Sequence, residues 1–213
     1  MKDRSRPLPS LYPITDRTLS GSSQTEQVRR LIAAGAQMIQ IRDKSTAIGE
    51  VLDDIRAAAE LCRRAGVCMI VNDRVDVALA VGADGVHLGQ DDLPPAAARD
   101  LLGPDAIIGY STHDPAQVAE ALHLPIDHIG FGPVFDTATK PDHDPVTGIR
   151  MLENAVKLAA GMPVVAIGGI RTRDLAAVYS AGAASAAVIS ALWEPGALDG
   201  IFALAETIRS RNC

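Results

Sequence analysis

The sequence predicts a single-domain (β/α)8 TIM barrel, and three observations support this fold. Short apolar runs alternate with helical patterns eight times along the 213 residues. Several helical patterns end in a glycine just before the next apolar run, as a left-handed helix C-terminus requires. Polar residues gather where the apolar runs end, which is the side on which such barrels carry their active sites. A doubly wound open sheet is the weaker alternative.

The predicted elements are short and alternate regularly. The strands cover residues 11–14, 38–41, 68–71, 85–88, 107–110, 128–132, 164–167 and 187–190, and the helices cover 24–34, 48–65, 75–81, 94–102, 115–122, 149–160, 172–181 and 198–209. Apolar residues make up 47% of the chain but aromatic residues only 3%, so we expect the aliphatic core of a buried parallel sheet. No linker divides the chain, which predicts one domain over residues 1–213 with a flexible extension at residues 1–9.

Composition also excludes several classes of partner. A net charge of −6 offers no basic field for nucleic acid or an anionic membrane. No apolar run is long enough to span a membrane, and the N-terminus lacks the apolar segment of a signal peptide. We therefore expect a cytoplasmic protein that acts on small molecules, and a homo-oligomer is compatible with the sequence. The spacing of Cys62, Cys68 and Cys213 is unlike a zinc site and predicts free thiols.

Two neighbouring predicted strands end in acidic residues. Asn72 and Asp73 follow the third strand, and Gln90, Asp91 and Asp92 follow the fourth. Parallel strands of a β-α-β unit bring both ends to one face. Mg²⁺ takes one or two protein carboxylates together with substrate phosphate oxygens, so Asp73 and Asp92 are the predicted ligands. The alternatives are a helix N-cap for Asp73 and a cap or a solvent-facing position for Asp91.

The second predicted strand ends in a cationic pattern. Gln40, Arg42 and Lys44 alternate along an extended segment, so their side chains share one face. Two cations and an amide donor suit a multiply charged oxyanion such as a diphosphate. The alternative is an Arg-Asp surface pair near a loop. With the acids of the next two strands beside it, this pattern favours a diphosphate site.

A second anion site is predicted near the end of the chain. Gly168 and Gly169 follow the seventh strand and Ser190 ends the eighth, where barrels often bind a monophosphate. A tight turn is the alternative for the glycine pair. The connection between residues 135 and 147 is longer than usual, as functional lid loops are. It carries hydroxyl donors and a positive charge at Thr137, Thr139 and Lys140.

These residues resemble the thiamine phosphate synthase family over essentially the whole chain. The matching motifs, in order, are Tyr12-Pro13-Ile14-Thr15-Asp16, Gln40-x-Arg42-x-Lys44, Val71-Asn72-Asp73-Arg74, Gly85-Val86-His87-Leu88-Gly89-Gln90-Asp91-Asp92-Leu93, Gly109-Tyr110-Ser111-x-His113, Gly130-Phe131-Gly132-Pro133-Val134-Phe135, Thr137-x-Thr139-Lys140 and Ile167-Gly168-Gly169-Ile170. Each motif alone is modest, but the ordered set is highly specific. The resemblance implies a barrel enzyme that joins hydroxymethylpyrimidine diphosphate to a thiazole phosphate, releases diphosphate and requires Mg²⁺.

The resemblance also implies a role for each matching residue. The residues that it implies bind the pyrimidine diphosphate are Gln40, Arg42, Lys44, Asn72, Ser111 and Lys140. Mg²⁺ binding falls to Asp73 and Asp92, and thiazole phosphate binding to Thr137, Ala138, Thr139, Gly169, Ile189 and Ser190. The residues expected to take part in catalysis are Arg42, Lys44, Ser111 and Lys140. No protein nucleophile is needed, because the thiazole nitrogen is itself the nucleophile.

Two departures from the family pattern and three rival functions remain. Asp136 stands where the family often has proline, and Ala184-Ser185 replace a small acidic-glycine pair. The rivals are a thiazole tautomerase-like isomerase, a phosphate-sugar isomerase or aldolase, and a catalytically silent phosphate-binding barrel. The retained acids and Pro133 count against the tautomerase. The sequence leaves open whether His113 contacts substrate or supports Ser111.

Overall fold

A closed ring of eight parallel strands forms the centre of the protein. The structure, a computed structural model, describes residues 7–44, 46–137 and 144–212. Its strands are β1 (Leu11–Pro13), β2 (Met38–Ile41), β3 (Cys68–Asn72), β4 (Gly85–Leu88), β5 (Ile107–Thr112), β6 (His128–Phe131), β7 (Val164–Ala166) and β8 (Ser185–Val188). They pair in the order β1-β8-β7-β6-β5-β4-β3-β2, and a parallel bridge between Ile14 and Gln40 joins the two ends. The predicted barrel is confirmed, and the open sheet is excluded.

Helices lie on the outside of the ring, between successive strands and after the last one. They are α1 (Arg17–Ser20), α2 (Gln24–Ala33), α3 (Ile48–Ala65), α4 (Val75–Val81), α5 (Pro95–Leu102), α6 (Pro115–Ala121), α7 (Gly148–Leu158), α8 (Leu175–Ser180) and α9 (Ile201–Asn212). The bounds of α3 and α4 are those predicted. The short helix α1 was missed; the Asp16 side chain caps it by accepting from the Leu19 amide, and Gly21 ends it with a φ of 63°. Among the described residues, no helix is long and apolar enough to cross a membrane.

The position of β8 corrects the prediction. The strand was expected at residues 187–190, but it begins at Ser185 and ends at Val188. Ser185 is polar, which made it look like part of the connection. It is fully buried, and its hydroxyl donates to the Ser10 carbonyl at 3.2 Å. Ser190, predicted as the end of the strand, instead begins a 3-10 turn (Ser190–Leu192).

Two apolar layers hold the barrel together. One lies between the strands and the helices, and the other fills the barrel interior. The buried residues of the interior layer are Tyr12, Ile14, Met38, Ile70, Val165 and Ala187. Tyr12 and Ile14 are two residues apart, so both point to the same inner face, as the pleat requires. At the N-terminal end of the barrel, Arg209 Nη1 donates to the Leu8 carbonyl at 2.8 Å, whereas residues 1–6 of the predicted extension lie outside the described residues.

Candidate active site

A cavity of about 880 Å³ opens at the carboxyl ends of the strands. Because the strands are parallel, the residues that follow each of them meet at this end. Every described residue that the sequence assigned to a site lines it: Gln40, Arg42, Lys44, Asn72, Asp73, Asp92, Ser111, Thr137, Gly169, Ile189 and Ser190. Ala138, Thr139 and Lys140 lie outside the described residues. The cavity brings the described residues together, and their individual roles stay predictions.

The end of β2 supplies an oriented guanidinium group. Arg42 Nη1 lies 2.7 Å from Asp16 Oδ2, and only 15% of the Arg42 side chain is exposed. Gln40 is buried and donates from Nε2 to the Tyr12 hydroxyl at 3.2 Å. Arg42 therefore does pair with an aspartate, as the alternative had it, but the pair is shielded and does not lie on an exposed surface. A held guanidinium at the rim of a cavity is suited to binding an oxyanion.

The two predicted metal ligands lie beside a lysine. Lys44 Nζ is 2.5 Å from Asp73 Oδ2, and Asp92 Oδ2 accepts from the Gly89 amide at 2.7 Å. Asp73 has a φ of 61°, a left-handed conformation that non-glycine residues seldom adopt. It does not cap α4, since Arg74 occupies the N-cap position and no side chain caps that helix.

Asp91 is exposed, and the N-cap position of α5 belongs to Pro94. Of the two alternatives considered for Asp91, the structure therefore supports the solvent-facing position. Asp91 lines the cavity but lacks the backbone contact that holds Asp92.

The electrostatics of the acid pair suit a cation. Burial raises the pKa of Asp92, and the negative charge of nearby Asp73 raises it further, against the lowering effect of the Gly89 amide. A carboxylate destabilised in this way is stabilised by a bound divalent ion. In the described part of the chain, no cluster of three or more His, Cys, Asp or Glu residues could hold a metal. Two carboxylates at an open cavity fit Mg²⁺, which completes its coordination with water and substrate phosphate oxygens.

Ser111 is held by residues of β4 and the connection that follows it. Its Oγ lies 2.9 Å from His87 Nε2, and its carbonyl accepts from Gln90 Nε2 at 2.6 Å. His113 does not contact Ser111 in this way. His113 Nδ1 lies 2.6 Å from the Gly132 carbonyl oxygen and Nε2 lies 3.4 Å from Asp144, so it joins the β6 end to the segment before α7.

Sequence reasoning therefore missed His87 as a contact of Ser111. The available signal was its parity, because His87 alternates with the apolar Val86 and Leu88 and therefore takes the opposite, inward face of the strand. His87 stood in a quoted motif but was given no role.

The glycine pair after β7 has no room for side chains. Gly168 and Gly169 have φ values of 97° and 64°, which glycine adopts without strain. A Cβ on Gly168 would lie 2.4 Å from Pro133 Cβ, and one on Gly169 would lie 2.3 Å from the Asp136 carbonyl oxygen. The same two glycines therefore allow both the turn after β7 and the close contact of this turn with the segment that contains Pro133 and Asp136.

Neither departure from the family pattern reaches the cavity wall. The Asp136 side chain is exposed and does not line the cavity. Ala184 and Ser185 lie at the opposite, N-terminal end of β8. We therefore assign Ser185 to packing, in agreement with its hydrogen bond to Ser10.

The fold and the cavity place the chain among the (β/α)8 enzymes whose active site lies at the carboxyl ends of the strands. Comparison with known proteins gives the family. The model of the family described as thiamine monophosphate synthase matches residues 11–192. The chain is 41% identical over 204 residues to the thiamine-phosphate synthase of Syntrophomonas wolfei, covering 95% of this chain and 97% of that one. The chain therefore belongs to the thiamine monophosphate synthase family, as its motifs indicated.

Further comparisons agree. The thiamine-phosphate synthase of Chloroflexus aurantiacus is 42% identical over 201 residues, covering 94% of this chain and 91% of that one. The solved structure of thiamine phosphate pyrophosphorylase from Pyrococcus furiosus superimposes with a TM-score of 0.82 at 35% identity, covering 95% of this chain and 96% of that one.

Likeness to an aldolase extends to the fold alone. A 4-hydroxy-2-oxoglutarate aldolase superimposes with a TM-score of 0.66 at only 20% identity, over 96% of this chain and 94% of that one. Aldolases of the Schiff-base type need a lysine on the barrel wall. None of the eight strands described above contains a lysine. The aldolase alternative therefore has no residue to carry its chemistry there.

Proposed function

We propose that this protein joins hydroxymethylpyrimidine diphosphate to a thiazole phosphate, giving thiamine phosphate and diphosphate. Its family membership supports this transferase activity in thiamine biosynthesis. One observation carries the proposal: a single cavity holds the cations Arg42 and Lys44 beside the carboxylates Asp73 and Asp92. A diphosphate and a divalent cation need these two kinds of group side by side. A thiazole tautomerase-like isomerase or a catalytically silent phosphate-binding barrel does not need this pairing of cations and carboxylates.

Asp73 and Asp92 are the residues that would hold Mg²⁺. When bound, the ion supplies charge neutralisation for the diphosphate oxygens. Lys44, whose side chain is 57% exposed, has the freedom to turn from Asp73 towards a substrate oxygen. Arg42 keeps its place through Asp16, so it meets the substrate already oriented.

The chemistry requires bond exchange at one carbon. The bond from the pyrimidine methylene carbon to the diphosphate oxygen breaks, and the thiazole nitrogen forms a new bond to that carbon. The electron pair of the broken bond leaves with the diphosphate. Preorganised cations stabilise that developing charge, and we assign this task to Arg42, Lys44 and Lys140. Ser111 donates a further hydrogen bond to the diphosphate.

The second substrate is assigned to the opposite side of the cavity. The residues proposed to bind the thiazole phosphate are Thr137, Ala138, Thr139, Gly169, Ile189 and Ser190. Gly169, Ile189 and Ser190 line the cavity beyond the ends of β7 and β8, across from the diphosphate side at β2 to β4. This separation lets the barrel align the nitrogen nucleophile with the methylene carbon, which is a proximity effect.

A reconstituted assay tests the proposal. Purified protein, Mg²⁺ and the two phosphorylated heterocycles are mixed, and thiamine phosphate is measured with a thiamine-phosphate synthase of known activity in parallel. We expect product that depends on both substrates and disappears when Mg²⁺ is chelated. No product from this protein beside an active control enzyme would overturn the proposal. Cytoplasmic location, a homo-oligomeric state and a single domain over residues 1–213 stay predictions.

A further inference from the structure

Two buried histidines lie side by side beneath Ser111. His87 on β4 pairs in register with Gly109 on β5, and Gly109 pairs with His128 on β6. The three residues therefore form one row across three adjacent strands. Both histidines are buried, and their ring centroids are 5.6 Å apart. The mechanism described above uses neither of them directly.

The glycine between the histidines makes room for both rings. A Cβ on Gly109 would lie 2.3 Å from His87 Nδ1 and 2.3 Å from His128 Nε2. The two nitrogens thus face the same point and lie within twice that distance of each other. Neither has a hydrogen-bond partner among the residues that the structure describes, and the other ring nitrogen of His128, Nδ1, also lacks one. Buried polar atoms are destabilising unless they are hydrogen-bonded, so each nitrogen is suited to become the other's partner.

Both imidazoles are neutral at physiological pH. Burial lowers the pKa of His87 to about 4, and burial together with the proximity of His87 lowers the pKa of His128 to about 3. A neutral imidazole has one donor and one acceptor nitrogen. The direction of a hydrogen bond at one nitrogen therefore sets its direction at the other.

We propose that His128 positions the Ser111 hydroxyl through His87. His128 Nε2–H donates to His87 Nδ1 once the His128 ring turns towards it, which leaves His87 Nε2 at Ser111. That bond fixes the proton of His87 on Nε2, which then donates to Ser111 Oγ. The Ser111 hydroxyl hydrogen is left free to donate to a phosphate oxygen of the substrate.

The reverse direction of the hydrogen bond between His87 and Ser111 would not let the Ser111 hydroxyl donate to a phosphate. If His87 Nε2 accepted from Ser111, the serine hydroxyl hydrogen would be occupied and only lone pairs would face the ligand. A diphosphate oxygen offers only acceptors, so it needs a donor. The identity of this ligand rests on the proposed function, whereas the proton arrangement of the two histidines does not.

A matched pair of variants at position 128 tests the role. His128→Gln keeps an amide donor near the place of Nε2, and His128→Met has a similar length without a donor. We expect kcat/KM for the pyrimidine diphosphate within about twofold of wild type for Gln and lowered about tenfold for Met, the size of one hydrogen bond to a charged group. His128→Met should have no further effect in a Ser111→Ala background. Equal losses for Gln and Met, or losses that multiply with Ser111→Ala, would show a merely structural role.

A spectroscopic measurement is independent of activity. Nitrogen-15 NMR of the histidine side chains at neutral pH should show His87 of the wild type protonated on Nε2 and a tautomer mixture in His128→Met. A wild-type His87 protonated on Nδ1 would refute the proposal. His123 is exposed after α6, so His123→Gln is the control that leaves both readouts unchanged. If the NMR result holds but no thiamine phosphate forms, the proposed function fails while the histidine pair stands.

Discussion

The Lys44 ammonium nitrogen lies 2.5 Å from Asp73 Oδ2, so a cation that follows β2 is paired with a carboxylate that follows β3. This contact joins the cationic and acidic halves of the cavity. Both residues are assigned to the substrate complex, where Asp73 would turn to Mg²⁺ and Lys44 to diphosphate. We therefore expect bound Mg²⁺ and diphosphate to replace this contact.

Lys44→Ala should lower kcat/KM by about a hundredfold, because a charge-assisted contact to the leaving diphosphate is lost. The free energy of unfolding should change by no more than about 1 kcal/mol, since the lysine is largely exposed. Steady-state kinetics and urea unfolding measure the two effects. Arg56→Ala, which removes an exposed pair with Asp53 on α3, is the control for a surface ion pair. Similar kinetics for the two variants would contradict the role of Lys44.

Asp92→Asn should raise the Mg²⁺ concentration needed for half-maximal activity at least about tenfold, the usual size of a lost charged contact. Asp91→Asn should change it little, because Asp91 is exposed and lacks the backbone contact that orients Asp92. Activity is measured across a Mg²⁺ titration at fixed substrate. Equal effects of the two substitutions would contradict the assignment of Asp92, and not Asp91, as the Mg²⁺ ligand.

The buried histidines should make the fold sensitive to mild acid. Unfolded histidines take up protons near a pKa of about 6.5, but the pKa values of His87 and His128 in the fold are about 4 and about 3. Their effect on stability is fully favourable above about pH 6.5 and is lost as the pH falls towards those lower values. Each histidine contributes a slope of about 1.4 kcal/mol per pH unit within that window.

This slope is measured by urea unfolding of the wild type and of His128→Gln from about pH 7.5 to about pH 4.5. That range includes the pKa of an unfolded histidine. The slope measured for the variant should be smaller by roughly the contribution of one histidine. His123→Gln, at an exposed position, should keep the wild-type slope. An unchanged slope in His128→Gln would show that His128 is not kept neutral by burial.

Gly169→Ala should weaken thiazole phosphate binding and destabilise the fold by about 1–3 kcal/mol. The new Cβ would have both an unfavourable φ of 64° and a contact at 2.3 Å with the Asp136 carbonyl. Gly196→Ala is the matched control, because its φ is 74° but its Cβ would meet nothing closer than 3.8 Å. KM for the thiazole phosphate and thermal unfolding distinguish them. If both variants behave alike, backbone conformation rather than close approach decides the effect.

Lys140→Ala should lower turnover strongly and leave the fold intact. The expectation rests on the family resemblance, since Lys140 is the cation of the Thr137-x-Thr139-Lys140 motif and lies outside the described residues. Single-turnover kinetics with saturating substrates isolate the chemical step, and circular dichroism checks the fold. Near-normal single-turnover rates would exclude Lys140 from stabilising the leaving group.

The sequence was sufficient to predict the barrel and the residues that line the cavity. Apolar periodicity is local, so it placed α3 and α4 at their observed bounds. Parallel strands carry their following residues to one end, so Arg42, Asp73 and Asp92 were expected to meet there. Where a local cue misled, as at polar Ser185, the strand position was wrong by two residues.

Only the tertiary structure decided which side chains face each other. The pairing of Arg42 with Asp16 and the row of His87, Gly109 and His128 depend on strand register around a closed ring. Register comes from packing of all eight strands at once, whereas periodicity describes one strand at a time. The sequence by itself therefore determined the family, the barrel and the cations and acids of the cavity. The contacts that orient those groups were decided by the closure of the barrel.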